Sequence, residues 1–176
     1  KKTGIDYRLL PMTRSMISEL IDQEEVAKHV EIIDEHLKFP DAVRLMNRPA
    51  NYAGGVSQIF KRAEQAANLG REVGLAYIHA HIRYVEAMAK IGKPEETWSN
   101  LEKISPIGIN QVVSNSSLRQ ANAYFSSSDG DFKTRYDAQD NFNELKIKER
   151  QVKGGWRIYS SGPGIYINQL ISNVLG

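Results

Sequence analysis

The chain has 176 residues, with 23 Lys and Arg against 21 Asp and Glu, a formal net charge of +2 and no cysteine. Disulfides, thiolate catalysis and zinc–thiolate sites are therefore excluded, and the interspersed charges argue against a nucleic-acid or membrane-binding surface. The length suits roughly one domain, no apolar run is long enough to span a bilayer, and the start lacks an apolar signal core, so a cytoplasmic location is expected.

Apolar residues recur at helical spacing over 10–21: Leu10, Met12, Met16, Ile17, Leu20 and Ile21. A second helix is expected to start at Asp22 as N-cap, with Glu25 at the capping-box position. It runs through Val26, Val30, Ile33 and Leu37 until Pro40 stops it. Residues 39–74 break the pattern and read as a long loop with Tyr52, Ala53, Gly54 and Gly55 in it, and long loops in compact domains are often functional. The clearest helix lies over 74–91, where Leu75, Ile78, Ile82, Val85 and Ala89 form one stripe. Gly92 stops it, Pro94 starts the next, and a helical hairpin closes at Ile104. Residues 105–143 are rich in Ser, Asn, Gly and Asp and read as an irregular connection with a short segment at Tyr124 and Phe125. Residues 145–148 alternate ahead of Val152, Gly154 and Gly155, the pattern of a short β-hairpin, and a last helix is expected over 164–175. The fold class is mainly α, with tight turns and long loops alternating as in an (α/α) barrel, or toroid. A chain that starts at Lys1 and stops at Gly176 after an amphipathic stretch is expected to be a segment of a larger protein.

The stretch Gly154 to Gly164 places two hydroxyls, Ser160 and Ser161, and the small residues Gly162 and Gly164 where a helix begins. Backbone N–H groups without internal partners and the helix dipole make such a start either a plain capped terminus or a seat for phosphate. His79 and His81 lie two apart on the helix, point in different directions and do not form a metal pair. His79 is adjacent to the apolar stripe, which favours a satisfied core histidine over a ligand-binding one. His29 and His36 fall on a charged helix and are expected to be solvated. Arg71 and Glu72 are either first-turn charges or a sugar clamp. Arg44, Arg48 and Tyr52 suit sugar or phosphate contacts, or else pin their loop to the body of the fold. Trp98 reads as packing, whereas Trp156 stands beside the candidate anion seat. The Ser126 to Asp131 run lacks the spaced acidic ligands of a calcium loop, and no metal site is expected. No Ser-His-Asp motif, P-loop or dinucleotide fingerprint is present.

Three motifs, in order, resemble those of the inverting glycoside phosphorylases of glycoside hydrolase family 94. Residues 70–79, Gly-Arg-Glu-Val-Gly-Leu-Ala-Tyr-Ile-His, resemble the family's Lys-Glu-Asn-Gly-Gly-Ile-Phe-x-His. Residues 103–106, Lys-Ile-Ser-Pro, resemble its Lys-Ile-Ser-Pro, followed by a Pro-Tyr segment matched here by Ala123 and Tyr124. Residues 154–162 resemble its Gly-Gly-Trp-x-Trp-Tyr-Thr-Gly. The wording of residues 44–49 and 161–166 is most similar to members that act on β-1,2-linked oligoglucans.

The resemblance implies that residues 1–176 form the C-terminal portion of an α/α-barrel catalytic domain. It implies that His79, Ser160, Ser161 and Gly162 hold phosphate. Arg71 and Glu72 would hold the donor sugar, with Tyr124, Ser128, Arg44 and Arg48 as further sugar contacts. Arg71 replaces the family's Lys, exchanging a point donor for a planar fork. Ser128 stands where the family often has Gln. The general acid would be an aspartate upstream of this segment, since Asp6, Asp22, Asp34 and Asp41 have the wrong surroundings. The implied activity is that of a glycosyltransferase of the phosphorylase type. It would catalyse reversible phosphorolysis of β-linked glucooligosaccharides, β-1,2 above all, to α-glucose 1-phosphate. It needs no cofactor, because inorganic phosphate is a substrate. The implied partners are the oligosaccharide, phosphate, the remaining domains of the parent chain and a second copy in a homodimer. An inverting hydrolase on a related α-barrel and a non-enzymatic helical interaction module are the competing expectations.

Overall fold

The computed structural model describes residues 4–51, 74–155 and 161–176, and the Ser161 side chain is not among the described groups. The described residues form a mainly helical segment with one small antiparallel sheet. Helix α1 spans Leu9–Ile17, and Leu9, Met12 and Met16 bury its inner face. It stops short of the expected 21 because Glu19 takes a left-handed φ of 54°, which no continuing helix allows. Helix α2 spans Gln23–Ile32, and Asp22 caps it as the sequence predicts, its carboxylate accepting the Glu25 N–H at 2.9 Å. One wide π turn, Ile33–Leu37, carries it on until the chain turns extended at Lys38.

Strand β1, Ala76–Tyr77, feeds directly into helix α3, Ile78–Lys90, so the helix starts four residues later than its apolar stripe suggests. Gly92, at φ 75°, makes the left-handed turn into α4, Pro94–Glu102, with Pro94 in the first turn. Helix α3 is central. Its Ile78, Ile82 and Val85 enter one core with Phe39, Leu101, Phe125, Phe142 and Val152. Its Ala80, Tyr84, Ala87 and Met88 enter another with Leu9, Met16, Ile33, Leu37 and Val43. Burying two faces leaves one polar seam, His79, Arg83, Glu86 and Lys90, in which Arg83 pairs with Glu86 at 2.5 Å and Lys90 reaches Glu19 at 3.0 Å.

The region read as irregular carries short elements: α5, Ile109–Val112; strand β2, Ser127–Gly130; and α6, Arg135–Asn141, ending in the 3-10 turn Phe142–Leu145. The hairpin expected from residue 145 is therefore displaced. Its second strand is β3, Val152–Gly155, and its partner is β2. The sheet order is β1-β2-β3, all antiparallel, with Tyr77 opposite Ser127 and Ser127 opposite Gly155. Helix α7, Ser161–Gln169, continues into a π turn, Leu170–Leu175; α7 packs on α3 and the π turn on α4. Trp98, expected to pack, is 48% exposed on α4, because that helix turns Thr97, Asn100 and Leu101 inward instead. No helix of the described residues is long and apolar enough to cross a membrane.

Candidate functional site

The sheet register gathers the predicted motifs. Tyr77, Ser127 and Gly155 form one row across the three strands. Because neighbouring strands run in opposite directions, the chain leaves β1 toward His79, enters β2 from Tyr124 and leaves β3 toward α7 at the same end of the sheet. The Ile78 N–H donates to Ser126 O at 3.0 Å and the Ser126 N–H to Gly155 O at 3.3 Å, which locks that end together. Three segments separated by tens of residues thus converge through backbone pairing rather than through side-chain packing.

Gly162, in the first turn of α7, is buried, and a Cβ there would overlap the Tyr124 ring at Cζ and Oη. Only glycine lets the helix start lie against that phenol. Burial, and then the neighbouring Tyr77, push the Tyr124 phenol well above its ordinary pKa, so it stays protonated and able to donate. Tyr77 in turn stacks on His79, with ring centroids 5.9 Å apart and planes 12° from parallel. The structure therefore places Tyr124 against Gly162 and Tyr77 against His79 at the same end of the sheet, with Tyr77 close enough to Tyr124 to act on its phenol electrostatically. His79 is half-buried. Burial, and then the nearby Arg83 charge, lower its pKa below 6.5, so at neutral pH it is an uncharged imidazole.

The satisfied core histidine is His81, not His79. Its Nδ1 accepts the Val43 N–H at 2.9 Å, so its proton sits on Nε2, which donates to Asn100 O at 2.8 Å. Burial drives its pKa down to about 4. His81 thereby ties the 38–45 loop and α4 to the helix that presents His79. His36, expected to be solvated, is half-buried and stacks on Tyr7 at 4.1 Å, because the π turn swings its ring inward.

Arg44 lies inside the protein. It is fully buried, its Nη1 and Nη2 donate to the two Asp41 carboxylate oxygens at 2.8 and 3.1 Å, and its plane lies 4.1 Å from the Phe39 ring centroid. Of the two readings of this residue, this geometry supports the one in which it pins the loop. Burial alone would raise the Asp41 pKa, but Arg44 and hydrogen bonds from Arg44 and Ser128 outweigh it and hold the carboxyl below the usual range. Ser128 is 1% exposed, and its hydroxyl also accepts from Arg119 Nη2 at 3.3 Å. It faces inward because it alternates with Ser127 on β2 and lies opposite Ala76 and Gly154. Arg48 is half-buried, and its Nε has no hydrogen-bond partner among the described residues. Arg71, Glu72, Ser160, Tyr52 and Trp156 lie outside the described residues. Among the described residues no group of three or more His, Asp or Glu side chains is placed to hold a metal ion.

Fold and site together define a helical segment whose polar and aromatic groups meet at one end of a small sheet, against the start of a terminal helix. The chain is 63% identical over all 176 residues to the 1,2-beta-oligoglucan phosphorylase of Listeria innocua serovar 6a, and spans 16% of the length of that curated relative. No family model matches it. The motif resemblance and this similarity point to the same kind of protein, and the similarity leaves no part of the chain uncovered.

Proposed function

We propose that this chain is part of an inverting glycoside phosphorylase and supplies its phosphate site and part of its donor-sugar site. On this reading it is the C-terminal portion of an α/α-barrel catalytic domain, and its substrates are β-1,2-linked glucooligosaccharides and inorganic phosphate. The observation that carries the reading is the 63% identity to a 1,2-beta-oligoglucan phosphorylase across the whole chain. The meeting of His79, Tyr124 and Gly162 at one end of the sheet supports it.

Phosphate would sit between His79 and the start of α7, on Ser160, Ser161 and Gly162. A helix N-terminus favours an anion, and a neutral imidazole adds one N–H donor. Arg71, Glu72 and Tyr124 would hold the donor sugar, with Arg48 at its margin, while Arg44 and Ser128 act from behind by holding the loop and the sheet in place. In the reaction, a phosphate oxygen bonds to the anomeric carbon from the face opposite the leaving sugar. The bond from that carbon to the glycosidic oxygen breaks, and a carboxylic acid supplied elsewhere in the parent chain protonates the departing oxygen. The product is α-glucose 1-phosphate and an oligosaccharide shortened by one unit.

The test is glucose 1-phosphate release from β-1,2-linked glucooligosaccharides by the full-length protein, with and without phosphate. Strictly phosphate-dependent release is expected. His79→Ala should lower kcat/KM for phosphate by about tenfold or more while leaving oligosaccharide binding largely intact. Release of free glucose without phosphate would identify a hydrolase, and no turnover would favour the interaction module.

A further inference from the structure

Tyr77 is the last residue of β1 and the residue from which α3 starts. Its backbone lies opposite Ser127 in the sheet, and the N–H of the next residue, Ile78, donates to Ser126 O at 3.0 Å. Ala76 before it and Ile78 after it are fully buried, so both flanks are anchored in the core. The Tyr77 ring itself is half-buried and packs against the core of Leu9, Met16, Ile33, Leu37 and Val43. Tyr77 occupies the N-cap position of α3 without making a side-chain capping bond there. Short polar side chains serve that position best, as Asp22 does ahead of α2. An aromatic ring gives up that cap, and what it gains here is contact with the core and with His79.

His79 is the second residue of α3 and half-buried. An imidazole at such a place turns about χ1 and χ2, and a ligand that meets one of its nitrogens must first fix both torsions. A ring already stacked on the imidazole removes much of that freedom before the ligand arrives. The stack, with planes 12° from parallel, uses the face of the imidazole. Both nitrogens lie at its edge, in the ring plane, so the phenol leaves them clear. The control runs from Tyr77 to His79 and not the reverse. Tyr77 is backed by the core and clamped through the sheet, whereas His79 projects from the first turn of the helix onto its polar seam.

We propose that Tyr77 is a positioning residue of the reaction, its ring holding the His79 imidazole in the orientation from which the imidazole edge meets phosphate. The inference rests on the phosphorylase reading for the task of His79; the stack and its anchoring do not. The face of the ring does the work, not its hydroxyl, so phenylalanine should serve in its place and an aliphatic side chain should not.

The experiment is a double-mutant cycle in the full-length protein, read as kcat/KM for phosphate and KM for the β-1,2-linked oligosaccharide. Tyr77→Leu should lower kcat/KM for phosphate about fivefold, the factor that the loss of one aromatic pair corresponds to. Tyr77→Phe should stay within about twofold of the wild type, and the oligosaccharide KM should hold in both variants. In a His79→Ala background Tyr77→Leu should cost nothing further, because the ring then has no imidazole to hold. A merely structural role would cost the same in both backgrounds. Tyr77→Met, which keeps the bulk without the ring, replaces Tyr77→Leu in the cycle should the latter fail to fold. Unchanged phosphate use in the ring-less variant, an equal loss in Tyr77→Phe, or an equal loss with and without His79 overturns the inference. Each of these leaves the phosphorylase reading standing so long as glucose 1-phosphate release stays phosphate-dependent. Release of free glucose without phosphate overturns that reading and this inference together. Phosphate use unchanged by His79→Ala removes the task of His79, and with it that of Tyr77, while the phosphorylase activity itself stands.

Discussion

Acidification should loosen the attachment of the histidine-bearing helix through one residue, His81. In the folded protein both ring nitrogens are engaged, one accepting from Val43 and the other donating to Asn100, and the side chain is fully buried. A second proton would put an N–H on Nδ1 facing the Val43 N–H, two donors in contact. Burial accordingly lowers the pKa from 6.5 to about 4. In the unfolded chain the same imidazole takes up its proton near pH 6.5. Between these values the unfolded state binds more protons, so stability is fully present above about pH 6.5 and falls as pH drops toward 4. At 1.36 kcal/mol per pKa unit the full effect is on the order of 3 kcal/mol, of which about 2 kcal/mol is lost between pH 7 and pH 5. The assay is hydrogen exchange at the Val43 amide, corrected for the intrinsic pH dependence, in the wild type and in His81→Gln. A glutamine presents one acceptor and one donor but does not titrate. Protection in the wild type should fall by more than tenfold between pH 7 and pH 5 relative to the glutamine variant. Parallel pH profiles for the two proteins would refute the reasoning, because carboxylates elsewhere contribute equally to both.

Gly162→Ala should drive a methyl group into the Tyr124 ring and destabilise the protein by about 1–3 kcal/mol in urea unfolding. Combining it with Tyr124→Leu should recover much of that loss, and strictly additive costs would show that the two residues do not touch. Asp41→Asn should leave the Arg44 cation buried without its counter-charge and cost about 3–5 kcal/mol by the same measurement. A loss within the range of an exposed ion pair, about 1 kcal/mol or less, would contradict the buried geometry.

Features decided within a few residues are legible in the amino-acid sequence alone. The Asp22 cap, the Pro94 start, the Gly92 turn and the Ile78–Ile82–Val85 stripe each rest on local backbone chemistry or on the 3.6-residue period, and all are present in the fold. The motifs around His79, Tyr124 and Gly162 can also be read there, but not their convergence. The sheet that joins them is built from strands of two to four residues, one of them Ser-Ser-Asp-Gly, with no alternation of apolar and polar side chains to announce it. Its register sets Tyr77 opposite Ser127 and Ser127 opposite Gly155, which no local pattern specifies. Arg44 reads as a loop cation in the sequence because its partner Asp41 and the Phe39 ring are recognisable as an enclosure only once the loop closes over α3. The two histidines show the division most simply. Spacing along the helix determines that His79 and His81 face different ways, since successive residues turn by 100°. Which of them is sealed in the core is settled by Val43 and Asn100, which arrive from other parts of the chain and leave no other place for a neutral ring with one donor and one acceptor.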